Sequence, residues 1–505
     1  MNILDWAIAQ VAPVRALARA RARSALQAVM NYDAATTTGR AASWKPKAGD
    51  ADSAADRRAR LAFVARDMVR NTPFATRAQA VIANNVVGDG IIPKVSGGTK
   101  SQQADLRDLV ERHLDTVLID ADGRNNLYGL QRLAMNTIVD AGEVLIRRRL
   151  RDRRDGLPLS LQLQVLEPDF IDTAKDGVLA SGNDVREGIE YDAIGRRVAY
   201  WLFQRHPGAP WRRGQDLTSH RVPASEILHV YRQDRPGQMR GVSWFAPVAM
   251  TLQDMADHQD AQLMRQKIAA CFVAFRVSPD ADTDPNTDKK GLSTSLVPGR
   301  IQNVAPGEDV RFAVPPGVES YDEFTRAVLR SAAAGLGITY EALSGDLGNV
   351  NFSSARIGRL EMESNVSAWQ WLMLVPQMMQ PIGRWILEQW ALERMTRPSR
   401  GLRLDWVPPP LKLVDPTREI SALRDKVRAG FASRQSVVRQ LGYDPERLIE
   451  EQAEDAKVAD AAGLKFDSDA RVAAAGQPAA PGAAPEDHNK GGAAASGKEP
   501  DNGEE

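Results

Sequence analysis

The sequence predicts an α+β protein, mainly helical, with its strands gathered into one block. Three observations carry that expectation. Apolar residues recur at helical spacing on both sides of residues 143–231, where the period drops to two. Two long helical patterns, 244–270 and 319–335, flank a short excursion of strand-like and turn-rich sequence. From residue 415 the pattern is helical only, until it gives way to a low-complexity tail.

Taken in order, residues 31–56 are rich in Ala, Thr, Gly and Asp and read as an extended arm or linker. From Arg57 a helical face forms from Leu61, Val64, Met68 and Val69. Asn71 is expected to cap the next helix, with Pro73 in its first turn, where a missing N–H costs nothing. Phe74, Ala78, Val81, Ile82 and Val86 continue the face up to Gly88. Further helices are predicted over 101–120 and 127–141. The block 143–231 holds VLIRRRL, the strictly alternating LSLQLQVLEP, a hairpin turning at Asp192–Gly195, and EILHVYR. It reads as an α+β domain with an antiparallel sheet.

Trp244 opens a long helix with Leu252, Met255, Ala256, Leu263 and Ala270 on one face. Asp254, Asp257, His258 and Asp260 lie on the other. After CFVAFRV comes a polar segment, then short strands, then the second long helix. Two helices around a small excursion suggest a helical hairpin carrying a mini-domain at its tip. Residues 357–395 read as helix interrupted at Pro376 and Pro381. LRLDWVPPPLKLV is extended, and helices start at Asp415 and Asp444. From Asp467 the tail should be disordered.

Composition narrows the function. The chain has 505 residues and 43% hydrophobic content, enough for real cores. At roughly 100–200 residues per domain, two to four domains are expected. Lys plus Arg and Asp plus Glu are equal at 65 each, so global charge points to neither nucleic acid nor membrane. The single cysteine, Cys271, excludes a disulfide framework. It reads as a small buried hydrophobe. The N-terminus lacks a secretory pattern and reads as a basic amphipathic arm with Arg15, Arg19, Arg21 and Arg23. Its plain interpretation is a solvated arm, its sharper one an arm touching a partner or nucleic acid. Ser364–Gly383 is uncharged and long enough to cross a bilayer. Its three glutamines would be costly in hydrocarbon, so a buried helix pair is expected.

Catalytic patterns are missing from the sequence. GVSWF lacks the last glycine of a nucleophile elbow, and no P-loop pattern occurs. Asp254, Asp257 and Asp260 could in principle hold Mg²⁺, but a solvated or channel-facing acidic stripe is the simpler interpretation. DADTDPNTD, Asp280–Asp288, lacks the central Gly and final Glu of a calcium loop. Glu143 and Glu167 sit at strand edges without a visible partner. Trp369, Trp371, Trp385 and Trp390 sit among apolar neighbours and read as core or subunit-interface packing. No catalytic residue, metal or cofactor is expected.

Several phrases run in a familiar order: RDMVRNTPFATRAQAVIANNVVGDGI, VLEPDFID, GIEYDAIGRRVAYWLFQRHPG, VPASEILHVYRQDRPGQMRGVSWFAPV, KIAACFVAF, SGDLGNVNFSSAR and DPTREISALRDKVRAGFASRQSVVRQLGYDPERLIEE. Across about residues 57–455 the chain resembles the lambda-type portal proteins of tailed bacteriophages and prophages. The resemblance implies a closed ring oligomer, a dodecamer, at one capsid vertex, through which double-stranded DNA passes non-specifically during packaging and ejection. It implies a portal fold: an N-terminal arm (1–56), wing (57–243), first stem helix (244–271), clip (272–316), second stem helix (317–337), tunnel-loop region (338–356), long wing helix with an extended segment (357–414), crown (415–466) and disordered tail (467–505). Implied partners are the large terminase subunit, head–tail connector or completion proteins, and the major capsid or scaffold protein. The implied location is the virion, after assembly in the host bacterial cytoplasm, with no membrane partner. The clip segment GRIQNVAPGEDV is less acidic than the family pattern.

The resemblance also gives the loop SGDLGNVNFSSARIG a role. Leu347, Gly348, Asn349, Val350, Asn351, Phe352 and Ser353 would form a tunnel loop near the DNA. Taken instead as a plain helix-to-helix connection, the loop would end with Ser353 or Ser354 capping the following helix. A metal-dependent nuclease built on Asp254, and a minor head or adaptor protein without a channel, stand as alternatives.

Overall fold

The computed structural model describes residues 49–52, 55–209, 218–270, 274–277, 309–312, 321–348, 351–409, 415–443 and 445–464, with the single residues 14, 43 and 466. Most of the basic arm up to Ala48, Cys271, Asp280–Asp288, most of the segment 272–316 and the tail from Asp467 lie outside the described residues.

Helices α1 (Ala55–Asn71) and α2 (Pro73–Val86) meet at Thr72. Thr72, not Asn71, is the cap position of α2, with extended φ −113° and ψ 115°. Proline forces the residue before it out of the helical region, so the break falls at 72. Asn71 instead closes α1, donating to Asp67 Oδ1 at 2.8 Å. The buried side of α1 is Ala62, Ala65 and Met68, while Val64 is exposed. The seam differs from the expected one because α1 lies against α2 and the later helix Leu127–Ala141, and alanines allow that approach.

Strand β1 (Ile92–Ser96) follows. The helix expected over 101–120 is shorter. It comprises α3 (Lys100–Leu109), started by a Thr99–Gln102 capping box, then a π turn over Val110–Leu114 and a 3₁₀ turn over Val117–Ile119. Helix α4 (Leu127–Ala141) has the expected bounds. Asn126 caps it by accepting from Gly129 N at 2.9 Å. Gly142 ends it at φ +91°, where glycine carries no Cβ penalty.

The strand block forms two sheets rather than one. The first has order β3–β2–β9, from β2 (Glu143–Leu150), β3 (Leu161–Leu166) and β9 (Ile227–Tyr231), antiparallel throughout. Leu161 and Leu163 are buried while Gln162 and Gln164 are half-buried, as the alternation predicts. The second sheet runs in sequence order: β4 (Gly177–Val178), β5 (Asp184–Arg186), β6 (Ile189–Tyr191), β7 (Arg197–Phe203) and β8 (Ser219–Pro223). The β6–β7 hairpin turns where expected, with Asp192 N donating to Arg196 O. It pairs with β5 and β8 instead of β2, so it leaves the first sheet. Ile171, Ile189, Tyr200, Leu202 and Val222 give this second sheet a separate small core with Leu145, Leu166 and Ile227.

Helix α5 (Ala249–Ala270), hairpin β10 (Ala274–Val277) with β11 (Asp309–Phe312), and helix α6 (Tyr321–Leu336) come next. The short helix α7 spans Tyr340–Ser344. A continuous helix then runs through α8 (Phe352–Ala368), a π-helical segment (Trp369–Met379) and α9 (Gln380–Arg394). The expected interruptions do not occur. Pro376 lies inside the wide π segment and Pro381 directly follows it, so both prolines fall where the helix departs from the α register. Two of the three glutamines of this stretch are partnered. Gln370 Nε2 donates to Val86 O at 2.8 Å, and Gln377 accepts from Tyr231 N at 3.0 Å. Among the described residues, no helix is long and apolar enough to cross a membrane. Trp385 and Trp390 are buried, but Trp371 is 52% exposed.

Strand β12 (Arg403–Val407) pairs with β1 and joins remote parts of the chain. Helices α10 (Pro416–Arg428), α11 (Arg434–Gln440) and α12 (Pro445–Ala461) close the described chain. Asp415 caps α10 as predicted, and Ser433 supplies a start that was not foreseen.

Candidate functional site

Helices α5 and α6 lie against each other at one side of the main core. Leu252 and Met255 of α5, with Leu329, Ala332, Ala333 and Leu336 of α6, are buried in it. The approach is close, since a Cβ on Gly335 would collide with Val248 Cγ1. Farther along, His258 stacks on Tyr321 with ring centres 5.9 Å apart and touches Phe324 at 4.6 Å. His258 therefore belongs to the face toward α6, a correction to its expected place on the acidic face. Leu263 is exposed, so the predicted apolar face fades beyond Met255.

Asp254, Asp257 and Asp260 are all exposed. Their i, i+3 spacing makes a solvent-facing stripe. Asp257 accepts from Gln253 Nε2 at 2.9 Å. The three carboxylates do not converge on a common point with other metal-type ligands among the described residues.

After α6, Thr339 caps α7 by accepting from Ala342 N at 3.2 Å. Arg77 Nε donates to Ala342 O at 2.8 Å and ties α7 to α2. Gly345 ends α7 at φ +75°. Asp346 organises the start of the loop. It accepts from Gly348 N and from Tyr340 Oη, both at 3.0 Å, and its own N donates to Ser344 Oγ at 3.1 Å. The Gly348 N–H, then the Tyr340 hydroxyl, hold its carboxyl below the usual range, with help from Arg326. Leu347 and Gly348 are exposed loop residues, and Asn349 and Val350 lie outside the described residues. Asn351, rather than Ser353 or Ser354, caps α8 by accepting from Ser354 N at 2.8 Å. Phe352 and Ser353 thus belong to the first helical turn and not to the loop. Asn, like Ser, is a favoured cap, and the helix simply begins two residues earlier. Ser353 through Ile357 are all exposed, so the start of α8 stands clear of the body.

A second cluster went unseen in the sequence. Glu143, expected to lack a partner, is buried. It accepts from Arg240 Nε at 2.8 Å, His229 Nε2 at 2.8 Å and Gly241 N at 2.7 Å. Burial alone would raise its carboxyl, but Arg240 and His229 outweigh burial and hold it far below the usual range. Burial pushes His229 down to about 4, more than Glu143 raises it. The ring is therefore neutral, with Nε2–H toward Glu143. Arg240 also reaches Glu187 at 3.4 Å, Glu187 reaches Arg58 at 2.8 Å, and Arg58 reaches Asp52 at 2.7 Å. Glu187 is held at φ +46° within this relay. Its members are dispersed from residue 52 to residue 240, and no local spacing could have announced them.

Glu167 also has partners. Glu167, Asp169 and His206 bring ligand-type atoms within 4.8 Å of one another. They do not fit a metal. His206 Nδ1 accepts from Gly208 N at 3.0 Å, which leaves the ring proton on Nε2, the atom that would have to bind. Arg66 already occupies Asp169 at 2.6 Å and lies 3.6 Å from Glu167.

A family model for phage portal proteins of the lambda family matches residues 37–370. The chain belongs to this family. The portal proteins that it resembles match over most of their length. A probable portal protein of Halomonas phage phiHAP-1 is 27% identical over 446 residues, covering 82% of this chain and 83% of that protein. Portal protein B of Escherichia phage lambda is 20% identical over 482 residues, covering 85% and 89%. Among solved structures, the neck of a native gene transfer agent particle computed with C12 symmetry matches with TM-score 0.45 and 16% identity, over 79% of this chain and 96% of that one. An HK97-family portal protein from Corynebacterium diphtheriae matches with TM-score 0.33 and 11% identity, over 71% and 98%. The family is one of structural proteins.

Proposed function

We propose that this portal chain assembles as a closed ring, a dodecamer, at the capsid vertex and serves as the conduit for DNA in packaging and ejection. The single observation that carries this reading is the family match over residues 37–370. The antiparallel arrangement of elements around α5 and α6, with the β10–β11 hairpin between them in sequence, supports assigning 244–271 and 317–337 to the stem and 272–316 to the clip. Residues 57–243 and 357–414 are then wing, 415–466 crown, and 338–356 the tunnel-loop region. The clip is the proposed docking place for the large terminase subunit and, later, for head–tail connector proteins. The wing would meet the capsid or scaffold protein.

A ring of identical copies uses two different faces of each subunit. A DNA channel must not grip its cargo, because phosphate contacts from many basic side chains accumulate and hold it. The exposed Asp254, Asp257 and Asp260 are suited to such a lining. Leu347 and Gly348, with Asn349, Val350 and Asn351 after them, are the proposed residues nearest the DNA. Negative-stain images of the purified full chain test this reading. Rings with a central hole are expected. A homogeneous monomer at high concentration, unchanged by capsid or scaffold protein, would overturn it.

A further inference from the structure

The basic arm reaches the body at residues 49–52, and this junction is tightly made. Asp52 is buried although its neighbours Gly49 and Asp50 are exposed. Its Oδ2 accepts from Met239 N at 2.8 Å, and its Oδ1 accepts from Arg58 Nη1 at 2.7 Å. Arg235 grips the same segment from the far side, donating to Gly49 O at 3.1 Å and to Asp50 O at 3.4 Å. All of these partners except Arg58 belong to residues 232–241, the loop that leads into Trp244 and α5.

That loop has little regular structure of its own. It is held by Gln238, whose Oε1 accepts from Asp234 N at 2.9 Å and whose Nε2 donates to Arg240 O at 2.8 Å. Arg197 holds Met239 O at 2.8 Å, and Arg232 lies over the Trp244 ring at 4.7 Å. Asp52 takes up the one donor of Met239, so opening the segment would strip a backbone N–H and a guanidinium of a shared partner.

We propose that residues 49–52 are a strap that fastens the N-terminal arm across the 232–241 loop and couples the arm to the root of α5. With the strap closed, the loop is fixed from both sides. When the arm is pulled or captured, Met239 N and Arg58 lose Asp52, and the loop and the first turns of α5 loosen together. The strap gives the arm a mechanical route to the paired helices through the 232–241 loop. It needs no ring and stands apart from the proposed function.

Hydrogen exchange on the full-length protein tests the strap. Asp52→Ala and Arg235→Ala should each speed exchange in peptides covering 232–241 and 245–255 by tenfold or more. Asp50→Asn is the control, because the Asp50 side chain accepts from its neighbour Ala51 N at 2.6 Å and takes no part in the bonds from Met239, Arg58 and Arg235, and it should leave both peptides unchanged. If Asp52→Ala loosens the whole protein, shown by faster exchange in 127–141, then Arg235→Ala decides, since it removes only grips on exposed carbonyls. Wild-type exchange at 232–241 in Arg235→Ala, or in a folded Asp52→Ala, would overturn the proposal.

Discussion

Glu143 shows how one carboxylate can hold four parts of a chain. It lies at the start of β2 and receives Arg240, Gly241 N and His229 of β9, while Arg240 passes the connection on to Glu187. Removing one partner of a buried pair leaves the other charge uncompensated, at a cost of roughly 3–5 kcal/mol. Glu143→Ala should lose stability on that scale in a denaturant melt, and a loss below about 1 kcal/mol would contradict the account. The cluster also predicts acid sensitivity. Glu143 is held low, so its contribution is present above its ordinary value of 4.5 and is lost as pH falls. His229 sits at about 4 against an ordinary 6.5. The unfolded chain therefore takes up that proton first, and stability should already decline as pH falls from 6.5 toward 4. His229→Gln should flatten this slope in thermal melts. Asp140 has the opposite sign. Burial raises it to about 7, against the pull of Arg66. Its contribution is full below the ordinary value of 3.8 and is lost progressively as pH rises from there to about 7. Asp140→Asn should stabilise the protein at pH 8 and much less at pH 4.5, by roughly 1.4 kcal/mol for each tenfold change in proton affinity relieved.

At the scale of elements, backbone approaches matter as much as side chains. Gly142 ends α4 at φ +91°, and a Cβ there would meet the backbone of Val242 and Ser243. Gly241 faces it across the same gap, where a Cβ would meet Gly142 O. Backbone has no flexible end to swing away, so Gly142→Ala should destabilise by about 2–4 kcal/mol or more, whereas Gly123→Ala, with open space around it, pays only for its positive φ. Equal melting temperatures for the two variants would refute this. The long helix teaches a different lesson. Its amphipathic pattern was plain in the sequence, but proline seemed to divide it. A π register keeps it whole, and no single-residue rule announces a π segment in advance.

At the scale of the whole molecule, the order of helices, the strand block and the helix pair were legible because each rests on periodicity and caps. The bounds of α4, the β6–β7 hairpin and the Asp415 cap follow from local residues such as Asn126, Gly195 and Asp415 itself. What was not legible depends on partners far away in sequence. The division into two sheets is settled by pairing of β7 with β8, and Glu143 acquires its meaning only when residue 240 arrives. The candidate loop was half legible. Its glycines and polar residues marked a connection, but the Asn351 cap makes it shorter than it looked. If this loop faces the DNA, changing Gly348 and Asn349 to Pro should impair DNA packaging while rings still form. At Gly348 the change also removes the N–H that Asp346 accepts. Full packaging by that variant would sink the assignment. The two sheets carry one further consequence. The chain leaves the first sheet at Leu166 and returns at Ile227, and both pair with β2, opposite Leu145 and Arg147. Two strand spacings separate those points, about 10 Å. Everything between them, packed on a small core that it shares with Leu145, Leu166 and Ile227, is a cassette plugged into a narrow doorway. Such a unit is fastened from outside the doorway as well, because Glu187 reaches Arg58 and Arg240 and Arg197 holds Met239 O, so a change within residues 167–226 is felt at the loop that leads into α5.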